Sequence, residues 1–132
     1  MMSSAEGLAI HTVPPIRLLV VDDEQVLRRM LDRVLTAKGF EVHTAVDGHE
    51  AMAMLKAERF DVVLSDVVMP HCDGRCLLEA MRDAGITVPV VMLTGYADAS
   101  DWSLRALGAV AVLGKPSPVE TICTTLESAL HR

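Results

Sequence analysis

Apolar and polar positions along this 132-residue chain fall into alternating strand-like and helix-like blocks, five of each. Ile16 to Val21 is an apolar run that stops abruptly at Asp22-Asp23. From Glu24 onward Leu27, Met30, Leu31, Val34 and Leu35 recur at i, i+3, i+4, i+7 and i+8. That spacing is one face of an amphipathic helix, closed by Gly39. Phe40 to Ala45 is a short, partly alternating strand, after which Asp47 and Glu50 supply a capping box for a helix through Leu55. Asp61 to Ser65 is strand-like and runs into Asp66, and Gly74 to Arg82 carries Leu77, Leu78 and Met81 on one helical side. Val90 to Leu93 is a further apolar strand, ending at Thr94; Asp98 to Leu107 is a weak helix and Ala109 to Leu113 the last strand. Ser117-Pro118-Val119-Glu120 is a helix start, with a capping Ser, Pro at the first helical position and Glu three residues after the cap. Five strands alternating with five helices require crossovers, which are right-handed, and a parallel sheet covered on both faces. The predicted class is α/β, doubly wound.

Composition narrows the function classes. Only Phe40, Phe60, Tyr96 and Trp102 are aromatic, so the core is built from Val, Leu, Ala and Met. A formal charge of −6 opposes a nucleic-acid surface, which needs Lys and Arg against phosphates, and no basic membrane-binding helix is present. The longest apolar runs are strand-sized and fall far short of a membrane span. Residues 1–15 contain Glu6 but no Lys or Arg, so they are expected to be a mobile leader rather than a signal peptide, with one domain over 16–132. Cys72, Cys76 and Cys123 lack CxxC spacing and are expected to be reduced thiols of a cytoplasmic protein. His71, Cys72 and Cys76 crowd together after Pro70 in a pattern poorly suited to zinc. Arg28, Arg29 and Arg33 are taken as the solvated face of the first helix.

The candidate chemistry lies where strands end. In an open parallel sheet, ligands bind outside the carboxyl ends of the strands, at the point where the strand order reverses. The first strand delivers Asp22 and Asp23, the third Asp66, the fourth Thr94 and the fifth Lys115. With strand order 2-1-3-4-5 the first and third strands are neighbours, and three carboxylates converge opposite a hydroxyl and an ammonium. Two like charges ~4 Å apart repel by ~4 kcal/mol at an effective dielectric of 20. A divalent cation relieves that repulsion, and oxygen ligands with open positions suit Mg2+. Phosphoryl transfer to a carboxylate needs a nucleophile, a metal and fixed donors, and Asp66, Mg2+, Lys115 and Thr94 supply them.

The segments LLVVDDE, VVLSDVVMPHCDG, VVMLTGYAD and GAVAVLGKP, in that order, resemble the four signatures of the response-regulator receiver family. The resemblance covers residues 16–131 and implies the flavodoxin-like receiver fold, a five-stranded parallel sheet in the order 2-1-3-4-5. It implies that Asp66 is the phosphoacceptor and that Asp23 binds Mg2+ directly. Asp22 would bind it directly or through water, and Val68 through its backbone carbonyl. Thr94 would hydrogen-bond the phosphoryl group, Lys115 would pair with it, and Lys115-Pro116 would be cis. Pro70 and Gly74 match positions that shape the loop after the acceptor. The implied role is a regulatory switch in two-component signalling, not an enzyme. Its partners would be a sensor histidine kinase or His phosphotransfer protein and a downstream protein or output domain.

Three positions depart from the family. Val112 stands where a Tyr or Phe ring is usual, so coupling to the output surface is expected through Tyr96 or Trp102. Thr94 and Lys115 stand 21 positions apart, one fewer than usual, which predicts a shortened or frayed fourth helix. Gly114 precedes the Lys. Val68 and Tyr96 flank the path of hydrolytic water and are expected to prolong the phosphorylated state. Two other function classes compete. A degenerate receiver would bind a partner without phosphorylation. A flavin module shares the sheet order, but Asp22-Asp23-Glu24 stands where it needs a phosphate-binding loop.

Overall fold

A computed structural model describes residues 14–95 and 97–131, with side chains described outside 97–101. The expected leader up to residue 13 and Tyr96 lie outside the described residues. In chain order the elements are β1 (Arg17–Val21), α1 (Gln25–Ala37), β2 (Glu41–Ala45), α2 (Gly48–Ala57) and β3 (Val62–Asp66). They continue with α3 (Gly74–Asp83), β4 (Val90–Thr94), α4 (Ala97–Ala106), β5 (Ala111–Gly114) and α5 (Val119–Ala129). The strands form one parallel sheet in the order β2-β1-β3-β4-β5, the order expected.

Alternate residues of a strand face opposite sides of the sheet, and here both sides are covered. Leu19, Val21, Val63 and Met92 pack with Leu55, Leu77, Met81 and Leu104 on the side of α2, α3 and α4. Leu18, Val20, Leu64 and Val91 pack with Leu31, Leu35, Ile122 and Leu126 on the side of α1 and α5. The central strands therefore read as unbroken apolar runs, and burying each Val or Leu side chain stabilises the fold by roughly 1.5–3 kcal/mol. Val112, at the family's ring position, is half-buried against the α2–α4 side of the core.

Local signals explain most element ends. Asp47 Oδ1 accepts the Glu50 amide at 2.9 Å, and Glu50 Oε1 accepts the Val46 amide at 2.7 Å, so the acid pair closes the start of α2. Helix α4 does not fray at its end. Gly108, at φ +117°, lets its own amide reach the Arg105 carbonyl and the Ala109 amide reach Leu104, and α4 matches α2 and α3 at ten residues. The start of α5 differs from expectation. Pro118 occupies the cap position, and the Ser117 hydroxyl donates to the Gly114 carbonyl instead of capping the helix. Strand β5 begins two residues later than expected because the Ala109 amide is taken by the α4 end.

The cysteine expectation is overturned. Cys72 and Cys76 are joined in a disulfide, and Cys123 alone is a free thiol. Because α3 starts at Gly74, its first turn brings the Cα of Cys76 to 5.2 Å from that of Cys72. This distance lies within the range that permits the bond. Both sulfurs are thereby occupied, which removes them as zinc ligands.

Candidate functional site

Strand register assembles the site. Val21 pairs with Ser65, so Asp22 follows beside Asp66. Asp66 pairs with Leu93 and Thr94 with Gly114, so Thr94 and Lys115 follow on the next two strands. Asp22, Asp66 and Thr94 are buried, while Asp23 is exposed at the rim. Carboxylate oxygens of Asp22, Asp23 and Asp66 all lie within 4.8 Å of one another. Lys115 Nζ lies 3.2 Å from Asp66 Oδ2 and 3.4 Å from Asp22 Oδ2, an ammonium bridging two carboxylates. The Lys115 amide donates to the Thr94 carbonyl at 2.8 Å, and the Lys115–Pro116 bond is cis, as the resemblance implies.

Each acid is held by its surroundings. Asp22 Oδ1 accepts the Glu24 amide at 2.8 Å, turning the chain from β1 into α1. Asp66 Oδ1 accepts the Val67 amide at 2.8 Å, and the Ser65 hydroxyl donates to the Asp66 carbonyl at 2.8 Å. Helix α3 presses on the same backbone. A Cβ at Gly74 would meet the Asp66 carbonyl oxygen and Val67 Cα at 3.0 Å, and the Gly74 amide donates to the Val67 carbonyl at 2.8 Å. Val68 follows in the loop with its side chain exposed.

Arg28 and Ser65 are the site residues the sequence did not disclose. Arg28 Nη1 donates to the Asp22 carbonyl at 2.8 Å, so one arginine of the supposed solvated face instead braces the end of β1. No short-range motif marks it; the contact depends on where α1 sits over the strand end. Ser65 lies between the strand-like run and Asp66, with nothing in its type to set it apart.

The electrostatics follow from burial and crowding. Burial pushes the Asp66 carboxyl above its ordinary value; nearby Lys115 opposes that and Asp22 adds to it. Burial works against charge on Lys115 as well, but Asp22 and Asp66 outweigh it and raise its pKa. The donor set is oxygen only, with three convergent carboxylates, and fits a hard divalent cation such as Mg2+ far better than a thiophilic metal.

Comparison with known proteins decides the family. The model of the response regulator receiver domain matches residues 18–127. The chain belongs to the response-regulator receiver family. It is 36% identical over 120 residues to the response regulator MprA of Mycolicibacterium vanbaalenii, covering 89% of this chain and 52% of that protein. It is 40% identical over 111 residues to the sensor histidine kinase RcsC of Escherichia coli, covering 83% of this chain and 12% of the kinase. Thus this receiver spans about half the length of one relative and a small part of the other. Among solved structures, it resembles the chemotaxis response regulator CheY4 of Vibrio cholerae with a TM-score of 0.80 at 37% identity, covering 88% of this chain and 99% of that one. A putative response regulator from Chloroflexus aurantiacus gives a TM-score of 0.83 at 32% identity, covering 89% and 99%. Receiver domains are generally regulatory and bind Mg2+ at an acidic cluster of the kind formed here by Asp22, Asp23 and Asp66. No helix among the described residues is long and apolar enough to cross a membrane.

Proposed function

We propose that the domain spanning residues 16–132 is a phosphorylation switch in which Asp66 accepts a phosphoryl group. One observation carries this: Asp66, at the end of a central strand, shares a 4.8 Å carboxylate cluster with Asp22 and Asp23 and has Lys115 Nζ at 3.2 Å. Asp22, Asp23, Asp66 and the Val68 carbonyl would hold Mg2+, which supplies charge neutralisation to the phosphoryl oxygens. A carboxylate oxygen of Asp66 attacks phosphorus in line, forming the new P–O bond as the donor's leaving group departs with the old bonding pair. Lys115 then balances the transferred dianion, and the Thr94 hydroxyl donates to one of its oxygens. Once the charge arrives, the ammonium that had bridged Asp22 and Asp66 has a stronger partner.

The donor is a sensor histidine kinase or a His phosphotransfer protein, and the receiver is the regulatory partner rather than an enzyme. The output is a changed interaction with a protein or a joined output domain in the cytoplasm. The acidic charge of −6 opposes direct nucleic-acid binding. Incubation with Mg2+ and a small phosphodonor, followed by intact mass, tests the proposal. One added phosphoryl group is expected, absent without Mg2+ and absent in Asp66→Ala. No adduct, under conditions that label another receiver, would instead favour phosphorylation-independent partner binding.

A further inference from the structure

The disulfide sits in the loop that follows the acceptor, and no step of phosphoryl transfer uses it. It ties Cys72, the end of the β3–α3 loop, to Cys76 on the first turn of α3. Two neighbours make this a built position. The Cys72 carbonyl accepts the Gly48 amide at 2.8 Å, and a Cβ at Gly48 would lie 2.5 Å from Cys72 Sγ. The sulfur therefore rests against the first residue of α2, where even a methyl group has no room. At the other end, Asp73 Oδ1 accepts the Cys76 amide at 2.9 Å, and the Gly74 amide holds the Val67 carbonyl. His71, directly before Cys72, has a φ of +69°, a left-handed conformation that a side-chain-bearing residue keeps only where its neighbours hold it.

The two sulfurs are not equivalent. Cys72 is 1% exposed, whereas Cys76 is only half-buried on the surface of α3. An incoming thiolate reaches Cys76 first. Attack there makes Cys72 the sulfur that leaves, packed against the first residue of α2.

We propose that Cys72 and Cys76 form a reversible redox site that sets how tightly the β3–α3 loop is held. A thiolate of a dithiol reductant attacks Cys76 Sγ, and the S–S bonding pair departs on Cys72 Sγ. The reductant's second thiolate attacks its own sulfur in the mixed disulfide, releasing Cys76 and leaving the reductant oxidised. The two protons given up by the dithiol end on the cysteines. Glutathione disulfide, a low-molecular-weight disulfide, drives the reverse exchange. Disulfides of cytosolic proteins are usually transient and redox-sensing, which matches a pair next to a signalling site. In the oxidised state the loop from Val68 to His71 is anchored at Val67 and at Cys72, the latter by the disulfide and by the Gly48 hydrogen bond; reduction removes the covalent tie to α3 and leaves the hydrogen bond as the second anchor. That Val68 in this loop matters to Mg2+ rests on the function proposed above, but the exchange and the loosening do not.

The whole chain with Cys123→Ser tests this without phosphorylation. After equilibration in glutathione buffers of graded ratio and quenching with an alkylating agent, trypsin cuts after Arg75, inside the disulfide ring. Peptides Phe60–Arg75 and Cys76–Arg82 should be joined in oxidising buffer and separate in reducing buffer. Adding Cys72→Ala should leave Cys76 able to take one glutathione, and adding Cys76→Ala should leave the buried Cys72 unmodified. Amide hydrogen exchange over residues 67–73 should be roughly threefold or more faster in the reduced chain than in the oxidised chain. A pair that links at no glutathione ratio, a glutathione on Cys72 rather than Cys76, or equal exchange in both states overturns the proposal. Failure of Asp66 to accept phosphate would bear only on the function proposed above.

Discussion

Replacing Lys115 by Met tests the electrostatic design of the site quantitatively. The ammonium stands 3.4 Å from Asp22 and 3.2 Å from Asp66, with 21% of its own side chain exposed. At an effective dielectric of 20 each contact is worth ~5 kcal/mol of attraction. Taking the ammonium out of water costs several kcal/mol, so removing one partner of a buried pair destabilises by about 3–5 kcal/mol. Methionine keeps much of the side-chain volume, so this loss is electrostatic rather than a cavity effect. Urea denaturation of metal-free protein should show the midpoint falling by roughly 2 M at an m-value of about 2 kcal/mol/M. Mg2+ should recover most of it, since a ligand at 100 times its Kd stabilises by ~2.7 kcal/mol, and the variant should bind Mg2+ more tightly than the parent. The folded pKa of Lys115 lies above its ordinary 10.5. Its stabilisation is therefore fully present below pH 10.5 and is lost as pH rises through the folded value. The gap between parent and variant should persist from neutral pH and close only in strong alkali. A metal-free loss under about 1 kcal/mol, the scale of an exposed ion pair, would refute the reasoning.

Three further outcomes follow from the same site. In metal-free protein, Asp66→Asn should be more stable than the parent at pH 7. The Asp66 carboxyl is raised by burial, so its contribution is fully present below the ordinary 3.8 and lost as pH rises through the folded value. Thermal melts across that range should show the gap closing in acid, and a parent at least as stable as the variant at pH 7 would contradict this. Val68 is exposed beside the acceptor, and Val68→Asn should shorten the phosphoryl half-life several-fold, measured by loss of the intact-mass adduct; an unchanged or longer half-life counts against apolar shielding. Trp102 stands 81% exposed on α4, and its emission should shift on phosphorylation if α4 carries the signal in place of a ring at Val112; unchanged fluorescence removes it from that role.

What the sequence made legible was set by period and by strand ends. Asp22, Asp66 and Thr94 could be placed together because each ends a buried apolar run in a parallel sheet, and register then leaves them little freedom. Lys115 joins them through the pairing of Thr94 with Gly114. Less legible were contacts made by folding across elements. Arg28 braces Asp22 because α1 lies over the end of β1, which helical periodicity alone does not reveal. Ser117 looked like a cap by residue type, but its hydroxyl found the nearer Gly114 carbonyl. The Cys72–Cys76 bond is not legible from CxxC or zinc-ligand spacing. The pairing depends instead on α3 beginning at Gly74, which brings the first helical turn back to Cys72. The missing residue between Thr94 and Lys115 predicts a shortened or frayed α4; its end does not fray, because a left-handed Gly108 closes it.

Chemical trapping shows whether Asp66 itself carries the phosphoryl group. After phosphorylation with Mg2+ and a small phosphodonor, borohydride reduces an acyl phosphate to the corresponding alcohol. Disulfide reduction, trypsin and fragmentation of the Phe60–Arg75 peptide then locate the change. Modification is expected at Asp66 and not at Asp61 or Asp73 in the same peptide. Modification at another residue, or a trapped product that persists in Asp66→Ala, would contradict Asp66 as the acceptor.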